Sequence, residues 1–180
     1  MESALPTFRY HPEPLRTGSV RQSDTPCLSC ERSRGFVYTG PVYAVEELVE
    51  ALCPWCIADG AAAERFDAEF TDVGWGVPDE VPRHVVEEVS RRTPGFAGWQ
   101  QERWLYHCGD AAAFIGAAGY AEVVALPDVL AAIEAEAKDA GWDATQTAAY
   151  MEALRRDAPP TAYTFRCLHC GTHLAYTDFT

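Results

Sequence analysis

Four of the seven cysteines form two Cys-x-x-Cys pairs in the first third of the chain. The pairs are Cys27 with Cys30 and Cys53 with Cys56, and 22 residues separate them. In a Cys-x-x-Cys turn both thiolates can converge on one ion, and two such turns supply the four sulfur ligands of a structural zinc site. In a reducing cytosol such thiols favour zinc over disulfide bonds. The spacing therefore predicts a zinc-ribbon-like site built from these four cysteines.

A redox role is the alternative for the second of these pairs. The sequence Cys53-Pro54-Trp55-Cys56 has the spacing of a thioredoxin-like motif, which needs a strand before it and a helix after it. The upstream pair favours the metal site, because a redox motif would not require a second matched pair.

The other three cysteines predict a second zinc site that needs one more ligand. Cys167 and Cys170 form a third Cys-x-x-Cys turn, followed by Gly171, a residue suited to a tight turn with positive φ. Cys108 stands alone in the sequence. Three histidines are candidates for the fourth ligand, namely His107 beside Cys108, His169 inside the turn, and His173 three residues after it. We favour His107 because Cys108 otherwise has no partner on its own segment, although His173 is nearly as suitable. Two Zn²⁺ ions per chain are therefore expected.

A catalytic site is the alternative to this closed site. If Cys108, Cys167 and Cys170 bound zinc alone, water would be the fourth ligand and its pKa would fall toward about 7, with Asp110 or His107 as base. Zinc deaminases carry Glu just after the first ligand and Pro just before the Cys-x-x-Cys turn. Gly109-Asp110 and Arg166 stand there instead. We therefore expect a non-catalytic protein, with a zinc-dependent hydrolase or deaminase-like enzyme as the alternative.

The elements that must position these residues are a mixture of helices and short strands. Apolar spacing and cap residues predict helices over 57–70, 79–92, 128–139 and 143–156, with Gly141 ending the third of them. Aromatic and β-branched runs predict strands over 36–43, 163–167 and 174–179, the last two as a hairpin around the third turn. The predicted fold class is α+β, with zinc-ribbon-like turns and short antiparallel strands packed with several helices. His11 has no metal-spaced neighbour and is expected at the surface or as a capping residue.

We expect three regions that together form one compact unit. Residues 1–75 form an N-terminal arm and the four-cysteine zinc-ribbon-like module. Residues 76–160 form a mainly helical region. Residues 161–180 form a C-terminal hairpin that carries the last Cys-x-x-Cys turn and packs on the rest.

The charge of the chain limits its partners. Its 180 residues include 14 Lys and Arg against 27 Asp and Glu, for a net charge of −13. Phosphate contacts depend on Lys and Arg, so nucleic acids and anionic membranes are disfavoured, and a basic protein is the expected partner. No apolar run approaches the roughly 18–20 residues that span a bilayer, and no secretory signal is visible at the N-terminus. The expected location is the cytoplasm.

Five segments, taken in order, resemble the CbrC family. They are LPTFRYHPEP at 5–14, YTGPVYAVEE at 38–47, ALCPWCIADGAAAERFDAEF at 51–70, RRTPGFAGWQQERWLYHCGDAAAFIG at 91–116 and FRCLHCGTHLAYTDF at 165–179. The resemblance covers essentially the whole chain. It implies a bacterial cytoplasmic protein of undefined biochemistry, and one member of that family is linked by name to colicin tolerance. The expectation that follows from the resemblance is a toxin-tolerance role, either through binding of a basic toxin or through a change in a stress pathway.

Overall fold

The structure is a computed structural model that describes residues 4–74 and 76–178. Over these ranges the chain alternates short strands with helices, which confirms the α+β class. The strands are β1 (Val20–Gln22), β2 (Phe36–Tyr38), β3 (Tyr106–His107), β4 (Asp110–Ala111), β5 (Ala113–Ala118), β6 (Thr161–Arg166) and β7 (His173–Asp178). The helices are α1 (Pro54–Ala58), α2 (Ala61–Phe66), α3 (Arg83–Arg92), α4 (Tyr120–Val124), α5 (Pro127–Asp139) and α6 (Ala144–Ala153).

The strands pair in three antiparallel groups. β1 pairs with β2 and β3 pairs with β4, while β5, β6 and β7 form one sheet with β6 in the centre. The pairing of Arg166 with His173 closes the β6–β7 hairpin around the third Cys-x-x-Cys turn. This antiparallel register confirms the hairpin predicted there. The central strand β6 is buried at every residue except Arg166.

The sequence did not predict the edge strand β5. Its residues are mainly Ala and Gly, which have low strand propensity. The sequence therefore predicts only that this segment is buried. Pairing with β6 determines its conformation, and the register shifts between Phe114 and Gly116. Tertiary pairing therefore overrides local preference in this segment.

The helices begin and end where glycine, proline and cap residues predict, rather than where the apolar spacing does. The helix expected over 57–70 is two short helices, because Gly60 between them takes a left-handed φ of 84°. α3 begins after Pro82, since a residue that precedes proline is disfavoured in helical conformation. The two helices near the C-terminus match expectation. Gly141 (φ 82°) ends α5, and the Asp143 carboxylate accepts the Gln146 N–H at 2.8 Å to cap α6.

Within residues 4–74 and 76–178, the buried apolar side chains form three clusters. The first surrounds α1 and α2 and includes Cys27, Cys53 and Cys56. The second is aromatic and covers the sheet, with Phe96 stacked on Phe114 at a ring separation of 3.9 Å. The third lies between α4, α5, α6 and the sheet. The first cysteine group is thus part of a hydrophobic core.

His11 lies in the interior, so its expected surface or capping role is wrong. The residue is fully buried, and its ring meets Phe114 edge-on at 5.1 Å. Its ring nitrogens lie 2.6 Å from the Pro94 carbonyl oxygen and 2.6 Å from Thr17 Oγ1. One partner lies six residues away and the other 83 residues away along the chain, so the sequence spacing does not reveal the distant one.

The division into regions 1–75, 76–160 and 161–180 stays a prediction. Its terminal positions 1–3 and 179–180, and the boundary residue 75, lie outside the described residues. Among the helices of the described ranges, none has both the length and the apolar composition needed to cross a membrane.

Candidate metal centres

The turn from Cys27 to Cys30 is a compact knuckle held by its own backbone. The Glu31 N–H donates to the Cys27 carbonyl at 2.7 Å, and the Cys27 N–H donates to the Arg32 carbonyl at 3.0 Å. Glu31 adopts a left-handed φ of 59°, which closes the turn. These bonds turn both thiols of the pair toward the start of α1.

The second pair lies at the N-terminal end of α1. Cys53 immediately precedes the helix and Cys56 lies in its first turn. The Cys53 N–H donates to Cys27 Sγ at 3.2 Å, and Cys30 Sγ lies 3.9 Å from Cys53 Sγ. All four sulfurs lie within 4.8 Å of one another. We call these four residues the N-terminal group, and they could hold a metal ion.

Hydrogen bonding favours a thiolate in the N-terminal group. The Cys53 thiol, aided by backbone N–H groups, lowers the pKa of Cys27 to about 4. The paired Cys53 has its pKa raised, chiefly by the same contact with Cys27 and by burial. Four adjacent thiols cannot all ionise without a compensating charge, so a bound cation would stabilise the fully ionised set.

The lone Cys108 lies at the tip of the β3–β4 hairpin. His107 pairs with Asp110, which leaves Cys108 and Gly109 as a two-residue loop. Both have positive φ, 55° and 68°, as a type I′ turn requires. A non-glycine residue rarely adopts that conformation. The conformation directs the Cys108 thiol toward the third knuckle, which is the turn from Cys167 to Cys170.

The third knuckle repeats the backbone geometry of the first. The Gly171 N–H donates to the Cys167 carbonyl at 3.1 Å, and the Cys167 N–H donates to the Thr172 carbonyl at 2.9 Å. Gly171 has the positive φ expected of it, 78°. Burial alone would raise the pKa of Cys167, but the N–H groups of Cys170 and His169 outweigh it and hold that pKa below its usual value.

The hairpin tip and the third knuckle meet as a second group of four ligand atoms. His107 Nδ1 lies 3.2 Å from Cys108 Sγ and 3.4 Å from Cys170 Sγ, and the two sulfurs are 3.9 Å apart. Cys167 completes the set, and all four atoms lie within 4.8 Å of one another. We call these residues the C-terminal group, which could also hold a metal ion.

The two other candidate histidines lie outside this group. His169 Nε2 is 2.8 Å from Asp110 Oδ2, and His173 Nδ1 is 3.9 Å from Asp128 Oδ2. Each therefore has a carboxylate partner of its own. The structure brings His107 to the three cysteines, and ligation by it stays a prediction.

Asp110 lies next to the C-terminal group and connects it to the N-terminal residues Arg9 and Tyr10. This buried carboxylate accepts hydrogen bonds from His169, from Arg9 Nη2 at 2.6 Å, from the Tyr10 hydroxyl at 2.8 Å and from the Ala111 N–H at 2.9 Å. Burial would raise its pKa, but bonds from Tyr10 and His169 outweigh that effect and lower it. The sequence indicates Asp110 only as a candidate catalytic base, because its partners Arg9 and Tyr10 lie about 100 residues away along the chain.

The two groups differ in their exposure to solvent. Cys27, Cys53 and Cys56 are all at most 3% exposed, whereas Cys108 and Cys170 are exposed and His107 is half-buried. Among the cysteines of the C-terminal group, only Cys167 is buried. The N-terminal group is therefore embedded in a core, and the C-terminal group opens to the surface.

Comparison with known proteins identifies the family. The model of UPF0167, described as an uncharacterised protein family, matches residues 5–179. This chain belongs to UPF0167. It is 59% identical over 175 residues to the UPF0167 proteins Mb2317 of Mycobacterium bovis and MT2352 of Mycobacterium tuberculosis, covering 97% of this chain and 94% of each relative. It is 45% identical to the UPF0167 protein PA1536 of Pseudomonas aeruginosa over the full length of both chains.

These matches correct the resemblance to the CbrC family. The matching family and these relatives carry the name UPF0167, and the CbrC name does not appear among them. The colicin tolerance implied by that resemblance therefore has no support. No solved structure matches the UPF0167 chain.

Proposed function

We propose that this UPF0167 protein binds two zinc ions, one in each four-residue group, and acts as a non-catalytic interaction protein. The supporting observation is that seven cysteines and one histidine, from four separate places in the sequence, converge into two groups of four ligand atoms. Sulfur-rich sets of this kind suit Zn²⁺ better than the hard cations Mg²⁺ or Ca²⁺, which take oxygen ligands.

The spacing of the ligand atoms fits tetrahedral zinc. Zinc–sulfur bonds of about 2.3 Å at tetrahedral angles place neighbouring sulfurs about 3.8 Å apart, and a sulfur and a nitrogen about 3.6 Å apart. One sulfur pair in each group is 3.9 Å apart, Cys30 with Cys53 and Cys108 with Cys170. His107 Nδ1 lies 3.2 Å from Cys108 Sγ and 3.4 Å from Cys170 Sγ, and all ligand atoms within a group lie within 4.8 Å of one another. Each group could therefore take up zinc with little movement.

A full ligand set supports a structural role for the C-terminal zinc. A catalytic zinc keeps one position for water or substrate, whereas His107 is in place to take the fourth position here. Asp110, the other candidate base, is buried and already accepts four hydrogen bonds. These contacts favour interaction over the hydrolase or deaminase-like alternative.

The partner we propose is a basic protein in the cytoplasm. A net charge of −13 would speed association with a positively charged surface. The acidic side chains of α5 and α6 face solvent and are available for such contact, at Glu134, Glu136, Asp139 and Glu152. The reducing cytoplasm would keep the seven free thiols available for zinc.

Metal analysis by mass spectrometry tests the zinc sites. We expect two zinc ions per wild-type chain and about one in Cys108→Ala. Because alanine is strained at the left-handed φ of Cys108, Cys108→Asn is the matched control, since asparagine tolerates that conformation. Loss of one zinc in both variants indicates ligation by the thiol. One zinc in the wild type and in both variants would leave Cys108 a free thiol and contradict the second site.

Charge reversal tests the basic partner. We expect Glu134→Lys combined with Glu136→Lys to deplete the basic proteins that co-purify with the wild type at low salt, because the reversal weakens electrostatic steering. The matched control, Glu134→Asp with Glu136→Asp, keeps the charge and should recover them unchanged. Equal recovery with the reversed variant would contradict a partner bound through this surface.

A further inference from the structure

The C-terminal group presents two of its sulfurs to solvent. Cys108 and Cys170 are both exposed, and their Sγ atoms lie 3.9 Å apart. Both residues belong to turns, Cys108 to the β3–β4 hairpin tip and Cys170 to the third knuckle, which the Cys167–Thr172 backbone bond closes. Two exposed thiols at this distance, held by turns from separate elements, are placed to react with each other.

The N-terminal group lacks this arrangement. Its sulfurs also approach to 3.9 Å, between Cys30 and Cys53, but Cys53 is 2% exposed. Cys27 and Cys56 are equally buried in the first apolar cluster. A dissolved oxidant therefore has less access to this group, in which Cys30 is half-buried and the other three thiols are buried.

We propose that Cys108 and Cys170 are an oxidation-sensitive pair, which a hydroperoxide joins in a disulfide with release of the C-terminal metal ion. The metal release rests on the proposed function, whereas the disulfide rests on the thiols alone. The chain would then hold one permanent metal ion and one that leaves under oxidising conditions.

The reaction balances with one peroxide per disulfide. The Cys170 thiolate attacks one peroxide oxygen, the O–O bond breaks, and the departing oxygen takes a proton and leaves as water or alcohol. The resulting sulfenic acid is attacked at sulfur by the Cys108 thiolate. The S–S bond forms, and the hydroxide released takes a proton to give water. Two sulfurs lose one electron each, and the peroxide accepts both.

The same step accounts for metal release. A disulfide sulfur no longer carries the charge that makes a thiolate a metal ligand, so two of four ligands are lost at once. His107 and Cys167 alone would remain. To form the bond, the two sulfurs must close from 3.9 Å to about 2.05 Å. The residues in the hairpin tip and the knuckle turn are those that would move.

Hydrogen peroxide treatment of the metal-loaded full chain tests the proposal. Released metal is followed with a coloured chelator, and the disulfides are mapped by peptide mass spectrometry. We expect loss of one of the two metal equivalents, together with a peptide pair that links Cys108 to Cys170 and has lost two hydrogens. A thiol reductant plus added zinc should restore the lost equivalent. In Cys108→Ser, peptide mass spectrometry should find no linked pair and no oxidation at these two positions that the thiol reductant reverses.

Three results would overturn the proposal. They are a disulfide between Cys167 and Cys170 in place of the expected one, release of metal from both groups at the same rate, and retention of both metals with all thiols reduced. Failure of the zinc proposal is a separate result, because it appears before any oxidant is added, as untreated protein without metal. In that case the peptide map still decides whether Cys108 and Cys170 form the disulfide.

Discussion

His11 is a buried histidine with a hydrogen-bond partner at each ring nitrogen. A carbonyl oxygen can only accept, so Nδ1 carries the proton and donates to Pro94, while Nε2 faces the Thr17 hydroxyl. Burial lowers the pKa of the ring to about 4, more than the bond to Pro94 can offset. The folded protein therefore keeps this side chain neutral and depends on that state.

The free energy of unfolding should fall in acid because of His11. The unfolded chain binds a proton at this ring below about pH 6.5, whereas the folded chain does so only near pH 4, so stability decreases over that interval. At pH 5 the loss should be about 2 kcal/mol relative to pH 7. Urea unfolding of the wild type and His11→Gln at both pH values measures it. An equal pH dependence in the two proteins would contradict the assignment.

The Asp110 carboxylate connects three parts of the fold through its hydrogen bonds. It belongs to β4, and its partners come from the N-terminal arm through Arg9 and Tyr10 and from the third knuckle through His169. The arm also contacts β5, where the Phe114 N–H donates to the Tyr10 carbonyl at 2.8 Å. The arm and the C-terminal group are thus connected through one buried residue.

Removing the Asp110 carboxylate should lower the stability of the fold. Asp110→Ala leaves the buried Tyr10 hydroxyl without that acceptor and takes the anion away from Arg9 and His169, so the free energy of unfolding should drop by about 3 kcal/mol. Denaturant titration of the wild type and the variant in the presence of added zinc measures the loss. Asp110→Asn should lose less, because its amide oxygen still accepts. Stability within about 0.5 kcal/mol of wild type in the alanine variant would show that Asp110 does not join these elements.

Elements with strong local signals could be predicted from the sequence. The β6–β7 hairpin, α5 and α6 all have caps or alternating patterns, and all three are present as expected. The single helix over 57–70 was wrong, since Gly60 divides it, and the β3–β4 hairpin was missed because Cys108-Gly109 is not a common type I′ pair.

The choice among the candidate histidines could not be made from the sequence. His107, His169 and His173 all lie within three residues of a cysteine, and only the packing of the hairpin tip on the third knuckle separates them. The N-terminal group needed no such information, because both of its Cys-x-x-Cys pairs are complete in the sequence. Contacts between distant segments therefore limit what spacing alone can predict.

For the whole molecule, the two groups hold different parts of the fold. The N-terminal group lies within the first apolar cluster, so the side chains that could hold a metal ion are also core residues. The C-terminal group brings residues 107–108 against residues 167–170, so a metal ion bound there would close a segment that contains β5, β6 and α4 to α6. With seven thiolates and two Zn²⁺, the net charge would move from −13 to about −16.

The zinc K-edge X-ray absorption spectrum of the metal-loaded full chain tests the central claim most directly. With one four-sulfur site and one site of three sulfurs and a nitrogen, the two ions together should show the seven cysteine sulfurs and the one imidazole nitrogen of the two groups, at zinc–sulfur distances of about 2.3 Å. His107→Ala should replace the nitrogen contribution with an oxygen ligand or lower the coordination number. A wild-type spectrum that requires oxygen ligands, or only about half of these sulfurs, would contradict two closed structural zinc sites.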